Sequence, residues 1–289
     1  MTISESQLTT WSNQGGTIAS ENTHIAIRNA LKKHAWQNNV TYDDYLQGSY
    51  RNHTNIYANS DVDLVVELTS TFYSNLSESQ KSALGLTPAT YGFNSFREDV
   101  ISALRNYFGS AYVDISGSKS IKILPIDGRL KGDVVVAAQY KCYDGTRLVA
   151  EGITFWNTKT GEQIINYPKL HYDNGATKNA NTLQWYKPTV RIFKNARESI
   201  YKKKSWLADK FPSYFVECLL YNAPNTNYGQ TYQATYCNVV NWLENALKTD
   251  PSKFICQNGM LYLFGSNSMQ WNVNDASTFV SELTILWNS

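Results

Sequence analysis

The sequence lacks several features that mark particular classes of protein. Its four cysteines, Cys142, Cys218, Cys237 and Cys256, form no CxxC pair and no Cys/His cluster at zinc-site spacing. We therefore expect reduced, mostly buried thiols, as is typical of a cytoplasmic protein. No stretch approaches the roughly 18 uninterrupted apolar residues of a membrane helix, so no membrane association is expected.

A strong charge of either sign is also missing. The chain has 26 basic and 24 acidic residues, for a net charge of +2, which argues against a long nucleic acid as a partner. Its first residues do not place a positive segment before an apolar run, so we expect no signal peptide. These absences indicate an ordinary globular protein. Any anionic ligand must be bound by a few residues at one site, because the net charge is too small to attract a polyanion.

What is present predicts an α+β fold. With 289 residues, 42% of them hydrophobic, the chain is long enough for one large domain or two lobes. Residues 17–34 have helical spacing, and so do residues 94–109, where Ser95 and Glu98 suggest a capping box. Strands are predicted within 41–49, 60–68, 120–124, 132–143, 148–157 and 162–167. Residues 167–186 are loop-rich in composition, and helices dominate after about residue 181.

Two aspartates on one predicted strand carry the main functional signal. In the segment GSYRNHTNIYANSDVDLVV (48–66), Asp61 and Asp63 are two residues apart and therefore share one face of a strand. Adjacent carboxylates repel each other unless a cation lies between them. Carboxylate oxygen is the ligand that Mg²⁺ prefers, with substrate phosphates completing its shell.

Asp133 is the best candidate for a third carboxylate. It opens the apolar strand GDVVVAA, where a charge is expected only if it faces a site, and a pair of ions for phosphoryl chemistry benefits from a third acid. The alternative is that Asp61 and Asp133 simply belong to turns. The upstream Gly48 and Ser49 favour the site, because a glycine followed by a hydroxyl and amide at a helical turn is suited to gripping phosphate.

The segment 48–66 resembles the signature of the DNA polymerase β-like nucleotidyltransferases. Within that superfamily, Gly48-Ser49, Thr54 and Asp61-x-Asp63 are most similar to the branch of oligoadenylate synthases, cyclic GMP-AMP synthases and the bacterial CD-NTases. KGDVVVAA is similar to the strand of the third aspartate. INYPKLHYDNGATKN and KPTVRIFKN resemble the nucleotide-pocket and lid region of CD-NTases, especially a clade that includes pyrimidine-using enzymes.

The resemblance implies a fold and an activity. A polymerase β-like core with a long N-terminal helix is expected over residues 1–175, a helical lobe over 176–289, and the active site in the cleft between them. The implied enzyme joins ribonucleoside triphosphates, with UTP as one candidate, into a cyclic dinucleotide or oligonucleotide and releases pyrophosphate. Its product would activate a separate effector protein in antiphage defence.

The same resemblance suggests roles for the site residues. Asp61, Asp63 and Asp133 would hold two Mg²⁺ ions, with Mn²⁺ as an alternative, and Gly48-Ser49 would hold the β- and γ-phosphates. Lys187, Arg191 and Lys194 fall on one helix face and, with Lys178, could bind the triphosphate. An ordinary solvated face is the alternative.

Asn166 is the candidate for base selection, because an amide offers a donor and an acceptor to a pyrimidine edge. A purely structural amide is the other interpretation. Two further functions stay open. One is a template-independent polymerase that makes linear oligonucleotides or modifies RNA ends, and the other is an inactive nucleotide-binding regulatory module.

Overall fold

A computed structural model describes residues 2–16, 18–37, 39–57, 62–125, 131–208, 210–267 and 269–289. The helices are α1 (Glu5–Ser12), α2 (Ile18–Lys33), α3 (Gly48–Asn52), α4 (Glu78–Ala83), α5 (Phe93–Phe108), α6 (Pro168–Asn181), α7 (Tyr186–Lys203), α8 (Ser213–Tyr221), α9 (Tyr232–Thr249) and α10 (Val273–Trp287). The strands are β1 (Tyr42–Leu46), β2 (Val62–Ser74), β3 (Val113–Asp114), β4 (Ile121–Ile123), β5 (Gly132–Asp144), β6 (Arg147–Trp156) and β7 (Gln163–Asn166).

These strands form one mixed sheet. Its order is β1-β2-β5-β4-β3, and β6 and β7 extend it beyond β5. β2 and β5 run parallel, whereas the other neighbouring pairs are antiparallel. The valine-rich starts of β2 and β5 fit this central place, because branched side chains pack well on a pleated surface that is buried on both faces. The predicted α+β class is confirmed.

The two faces of this sheet differ in what covers them. A Cβ atom on Gly132 would lie 3.0 Å from Ile27 Cδ1 and 3.1 Å from Thr23 Cγ2, so α2 packs closely on the face that carries Gly132 and Val62. Register partners in parallel strands point to the same side. Asp63 and Asp133 therefore point to the opposite face, away from α2.

The chain forms two compact units. One consists of Gly16–Tyr50 and Ser60–Pro168 and contains the sheet. The other consists of Met1–Gly15, Arg51–Asn59 and Lys169–Ser289 and is helical, with a core built from the apolar faces of α1, α7, α8, α9 and α10. The division into functional domains at residue 175 stays a prediction. No helix in the described part of the chain has both the length and the apolarity needed to span a bilayer.

The helix predictions were mostly right in place and wrong in two details. α2 and α5 lie where the periodicity predicted them, and Gly109 follows the end of α5. The capping box at Ser95 is wrong, because α5 begins two residues earlier, after Gly92, and the Phe93 amide donates to the Tyr73 hydroxyl at 3.2 Å. The prediction of loops over 167–186 is also wrong, because α6 covers most of this polar stretch.

Candidate active site

Asp63 and Asp133 lie side by side at the beginnings of two parallel strands. They are direct register partners of β2 and β5, and parallel neighbours are about 4.8 Å apart across the sheet. Both residues are half-buried, whereas Val65, two residues further along β2 on the same face, is fully buried. The apolar strands thus place two carboxylates together at one edge of a buried surface.

Gly48 packs directly against this acidic pair. Its φ of +64° lies in the left-handed region, and a Cβ atom there would be 2.5 Å from Asp63 Oδ2. Any other residue would meet both backbone strain and a collision with the carboxylate. The Gln47 amide also donates to the Asp63 carbonyl at 2.9 Å. Ser49, half-buried, follows in the first turn of α3, so the predicted phosphate-binding pair adjoins Asp63.

The third predicted carboxylate, Asp61, lies outside the described residues. Within the described part of the chain, no group of three or more His, Cys, Asp or Glu side chains is arranged to hold a metal ion. Asp63 and Asp133 fit two of the oxygen ligands that Mg²⁺ takes, because both are carboxylates on one face of the sheet. Asp61 would add a third from the residue two before Asp63.

The structure brings Lys187 and Arg191 into a group of basic residues. Partial desolvation lowers the pKa of His53, although the residue is exposed, and the charges of Lys187 and Arg191 lower it further. Arg191 donates to the His53 carbonyl oxygen, and the Tyr172 ring lies 4.6 Å from Arg51 Cζ and 5.4 Å from Lys187 Nζ. We call Arg51, His53, Lys187 and Arg191 the basic cluster. Lys187 and Arg191 are half-buried rather than part of a fully solvated face.

Lys178 and Lys194 are buried instead, and both ammonium groups already have partners. Lys178 Nζ donates to the Ala223 carbonyl oxygen at 2.7 Å and to Asn225 Oδ1 at 3.1 Å, and burial lowers its pKa to about 8. Lys194 is 1% exposed, and its Nζ lies 2.5 Å from Glu217 Oε1. Contact between a triphosphate and either lysine would require these bonds to be exchanged.

Asn166 ends β7 on the same sheet face as the aspartates. It is the register partner of Ile153, which pairs with Gln139, and Gln139 shares the face of Asp133 on β5. Its Oδ1 accepts from the Tyr167 amide at 2.8 Å, which leaves the Nδ2 group as a donor. Gly152 makes this geometry possible, because a Cβ atom there would be 2.5 Å from the Asn166 carbonyl oxygen and 2.7 Å from Tyr167 Cδ1.

Glu217 is the polar residue of this region that the sequence patterns missed. It lies in α8 and is 3% exposed, surrounded by apolar residues in the run FVECLL. Burial alone raises the pKa of Glu217, but Lys194 and His171 together bring it well below its ordinary value. A single acid inside an otherwise apolar helix was the available signal, since such a residue is rarely buried without partners.

The mixed sheet presents two neighbouring carboxylates beside a helical turn that begins with glycine, and the chain also has a helical unit. This combination is typical of a nucleotidyltransferase. Comparisons with known proteins support this. Residues 173–288 match the family of cGAS/DncV-like nucleotidyltransferase C-terminal helical domains. The cyclic UMP-AMP synthase of Rhodothermus marinus is 44% identical over 99% of this chain and 98% of its own length. Cyclic nucleotide synthase CdnE01 of Staphylococcus haemolyticus is 39% identical over 100% of this chain and 99% of its own.

Solved structures agree with the sequence comparisons. The R. marinus CdnE c-UMP-AMP synthase, determined with Apcpp and Upnpp, superposes with a TM-score of 0.92 over 99% of this chain and 97% of that one. The Elizabethkingia meningoseptica CdnE cyclic dinucleotide synthase, determined with GTP and Apcpp, has a TM-score of 0.80 at 31% identity over 97% of each chain. The chain belongs to the CD-NTase family, and it is a nucleotidyltransferase that synthesises a cyclic nucleotide product.

Proposed function

We propose that this chain condenses two ribonucleoside triphosphates, one of them UTP, into a cyclic dinucleotide. The observation that carries the proposal is its 44% identity to the cyclic UMP-AMP synthase of R. marinus, which extends over nearly the whole of both chains. The product would act on a separate effector protein in antiphage signalling. Because ribonucleoside triphosphates are the substrates, we place the reaction in the cytoplasm.

The chemistry would take place above Asp63 and Asp133. A sugar hydroxyl of one nucleotide forms a bond to the α-phosphorus of the other, the bond to the β-phosphate breaks, and pyrophosphate leaves with its electron pair. A second round of the same reaction closes the ring. We propose that Asp133 accepts the hydroxyl proton, because it lies beside Asp63 at the half-buried edge of the sheet.

Asp61, Asp63 and Asp133 are the residues that we propose for two Mg²⁺ ions, with Mn²⁺ as a substitute. Two neighbouring carboxylates on one sheet face suit a divalent cation, because their mutual repulsion would otherwise raise the free energy of the folded state. When bound, such ions lower the pKa of the attacking hydroxyl and offset the charge of the triphosphate.

The triphosphate would be held by two groups of residues. Gly48 and Ser49 would offer backbone amides and a hydroxyl to the β- and γ-phosphates. Lys187 and Arg191 are the cations best suited by exposure to neutralise the triphosphate, since both are half-buried within the basic cluster. For Lys178 and Lys194, which are buried and already bonded, we propose a supporting role in the helical unit.

Asn166 would select the base through its free amide donor. Its Oδ1 is occupied by the Tyr167 amide, so the Nδ2 group remains to donate to a ligand. Uracil presents a carbonyl oxygen where cytosine presents an amino group, and a donor in the protein matches only the carbonyl. This geometry favours UTP over CTP.

The test is incubation with all four ribonucleoside triphosphates and Mg²⁺, followed by mass analysis of phosphatase-resistant products. We expect a cyclic dinucleotide containing uridine, and none from Asp63→Asn, whose amide cannot replace the charge. Asn166→Asp should incorporate CTP in preference to UTP. Asn166→Ala should lose the preference for UTP but should not acquire a preference for CTP.

Two results would contradict the proposal. A ladder of phosphatase-sensitive products would show a polymerase of linear chains. Nucleotide binding without any pyrophosphate release would show an inactive regulatory module.

A further inference from the structure

A fully buried polar cluster lies in the helical unit, around Glu217. Its members come from four separate parts of the chain and are all less than 9% exposed, namely Asn52, Thr54, His171, Lys194 and Glu217. We call them the Glu217 cluster. All five belong to the same compact unit.

Glu217 uses its full hydrogen-bonding capacity in this cluster. Oε1 accepts from Lys194 Nζ at 2.5 Å and from the Thr54 hydroxyl at 2.7 Å. Oε2 accepts from His171 Nε2 at 3.0 Å and from Asn52 Nδ2 at 3.2 Å. A carboxylate has about four acceptor positions, so each is occupied by a different side chain.

Stability alone does not explain such a cluster. Glu217 is 3% exposed and Lys194 1%, so both charges have lost their hydration. Buried ion pairs can often be replaced by apolar side chains without loss of stability, because the desolvation cost offsets their attraction. Apolar residues would not supply the four directional hydrogen bonds by which one carboxylate fixes four donor side chains.

The hydrogen bonds of Glu217 reach the C-terminal end of α3 and the residue two positions after it. Asn52 is the last residue of α3, the helix that begins with Gly48 and Ser49. Thr54 lies seven residues before Asp61 in the chain. Lys194 strengthens the grip, because its Nζ lies 3.2 Å from both the carbonyl and the hydroxyl oxygen of Thr54.

We infer that Glu217 is a positioning residue for nucleotidyl transfer, acting through Asn52 and Thr54 on α3 and on the Gly48-Ser49 turn at its start. It need not touch substrate. By binding both ends of Asn52–Thr54, it limits the conformations open to α3, the helix that begins at Gly48. The inference rests on the proposed function, which gives those residues their roles.

The opposite side of the cluster offers a matched control. The Tyr186 hydroxyl donates to the Glu217 backbone carbonyl at 3.0 Å and lies 2.5 Å from Gln257 Oε1, and Gln257 Nε2 donates to the His171 carbonyl at 2.7 Å. Tyr186 is 1% exposed. Removing its hydroxyl therefore removes a buried bond from the same network without touching Asn52 or Thr54.

The experiment compares Thr54→Val with Tyr186→Phe, each of which deletes one buried hydroxyl. For Thr54→Val we expect kcat/KM for UTP to fall by about tenfold, in the range seen when supporting contacts of a catalytic site are removed. Tyr186→Phe should stay within about twofold of the parent in kcat/KM at a similar loss of thermal stability. Thr54→Ser, which restores the hydroxyl, should recover most of the loss.

Equal kinetic losses in Thr54→Val and Tyr186→Phe, at equal thermal stability, would overturn the inference and leave the cluster a purely structural one. Calorimetric titration with a non-hydrolysable UTP analogue and Mg²⁺ supplies a second readout that needs no turnover. We expect weaker binding in Thr54→Val than in Tyr186→Phe, and equal affinities would also overturn the inference. An inactive parent protein would instead count against the proposed function, while the binding comparison would still decide the role of Glu217.

Discussion

At the scale of single residues, Gly48 is where backbone conformation and active-site chemistry meet. Its positive φ turns the chain from β1 into α3, and its missing side chain leaves the space in which the Asp63 carboxylate lies. Any residue with a Cβ atom would meet both the strain of the left-handed backbone and the collision with the carboxylate. The turn that we propose binds phosphate and the strand that carries Asp63 therefore both depend on one glycine.

Replacing Gly48 by alanine should remove most nucleotidyltransferase activity. The new methyl group would displace the Asp63 carboxylate, and the left-handed backbone would cost roughly 1 kcal/mol in addition. Gly145→Ala is the control, because Gly145 has a φ of +61° but, chain neighbours aside, no described residue has an atom within 4 Å of the position that a Cβ atom would take. Pyrophosphate release and urea unfolding, measured on both variants, separate the effects. Equal activity losses at equal stability would contradict the collision with Asp63.

At the scale of elements, β6 and β7 place Asn166 through close backbone packing. Tyr167 is 4% exposed and packs against Gly152 of β6, so this contact fixes the end of β7 against β6. Such close approach of two strands and a ring is possible only where a strand residue lacks a side chain. The position of the Asn166 amide, which we propose selects the base, is thus a property of the β6–β7 pair.

Gly152→Ala should weaken base selection more than it weakens catalysis. Its methyl group would force the Asn166 carbonyl and the Tyr167 ring to move, with a stability loss of about 1–3 kcal/mol from overpacking. We expect the ratio of UTP to CTP incorporation to fall while product formation continues. Gly16→Ala is the control for adding a methyl group, because the described residues beyond its chain neighbours place no atom within 4 Å of a Cβ atom there. An unchanged UTP preference in a folded Gly152→Ala protein would refute this placement.

At the scale of the whole molecule, the sheet unit and the helical unit are stabilised differently. The sheet unit has valine-rich strands at its centre, whereas the helical unit buries a charged cluster inside an aromatic and aliphatic core. Burying paired charges makes the stability of that unit dependent on the protonation of Glu217. The pH response of the protein should therefore reflect this unit in particular.

Acid should destabilise the parent protein more steeply than Glu217→Gln. The folded-state pKa of Glu217 lies below the ordinary value of 4.5, so the unfolded chain binds the extra proton first. The stability that the charge provides is present above that ordinary value and is lost as the pH falls toward the folded-state pKa. Urea midpoints between about pH 6 and pH 3 should converge for the two proteins. Parallel curves would show that Glu217 is not stabilised as an anion.

The sequence by itself determined the local features of this protein. Apolar runs predicted β2 and β5, and apolar residues at helical spacing predicted the long helices, because side-chain direction in strands and helices follows directly from residue spacing. The position of Asp63 after Gly48-Ser49 predicted a phosphate-binding site. The polar helix α6 was missed because it has no clear apolar periodicity. Contacts such as that of Asn174 with the Gln257 carbonyl come from distant parts of the chain and are not visible in the sequence of the helix.

Only the tertiary structure decided which distant residues meet. It set the parallel register that pairs Asp63 with Asp133, and it buried Lys178 and Lys194. It also brought four donors to Glu217 from positions 23 to 165 residues away in the chain. Such pairings depend on how apolar surfaces pack and on which buried polar groups find partners. Neither condition is visible in the spacing of any one segment.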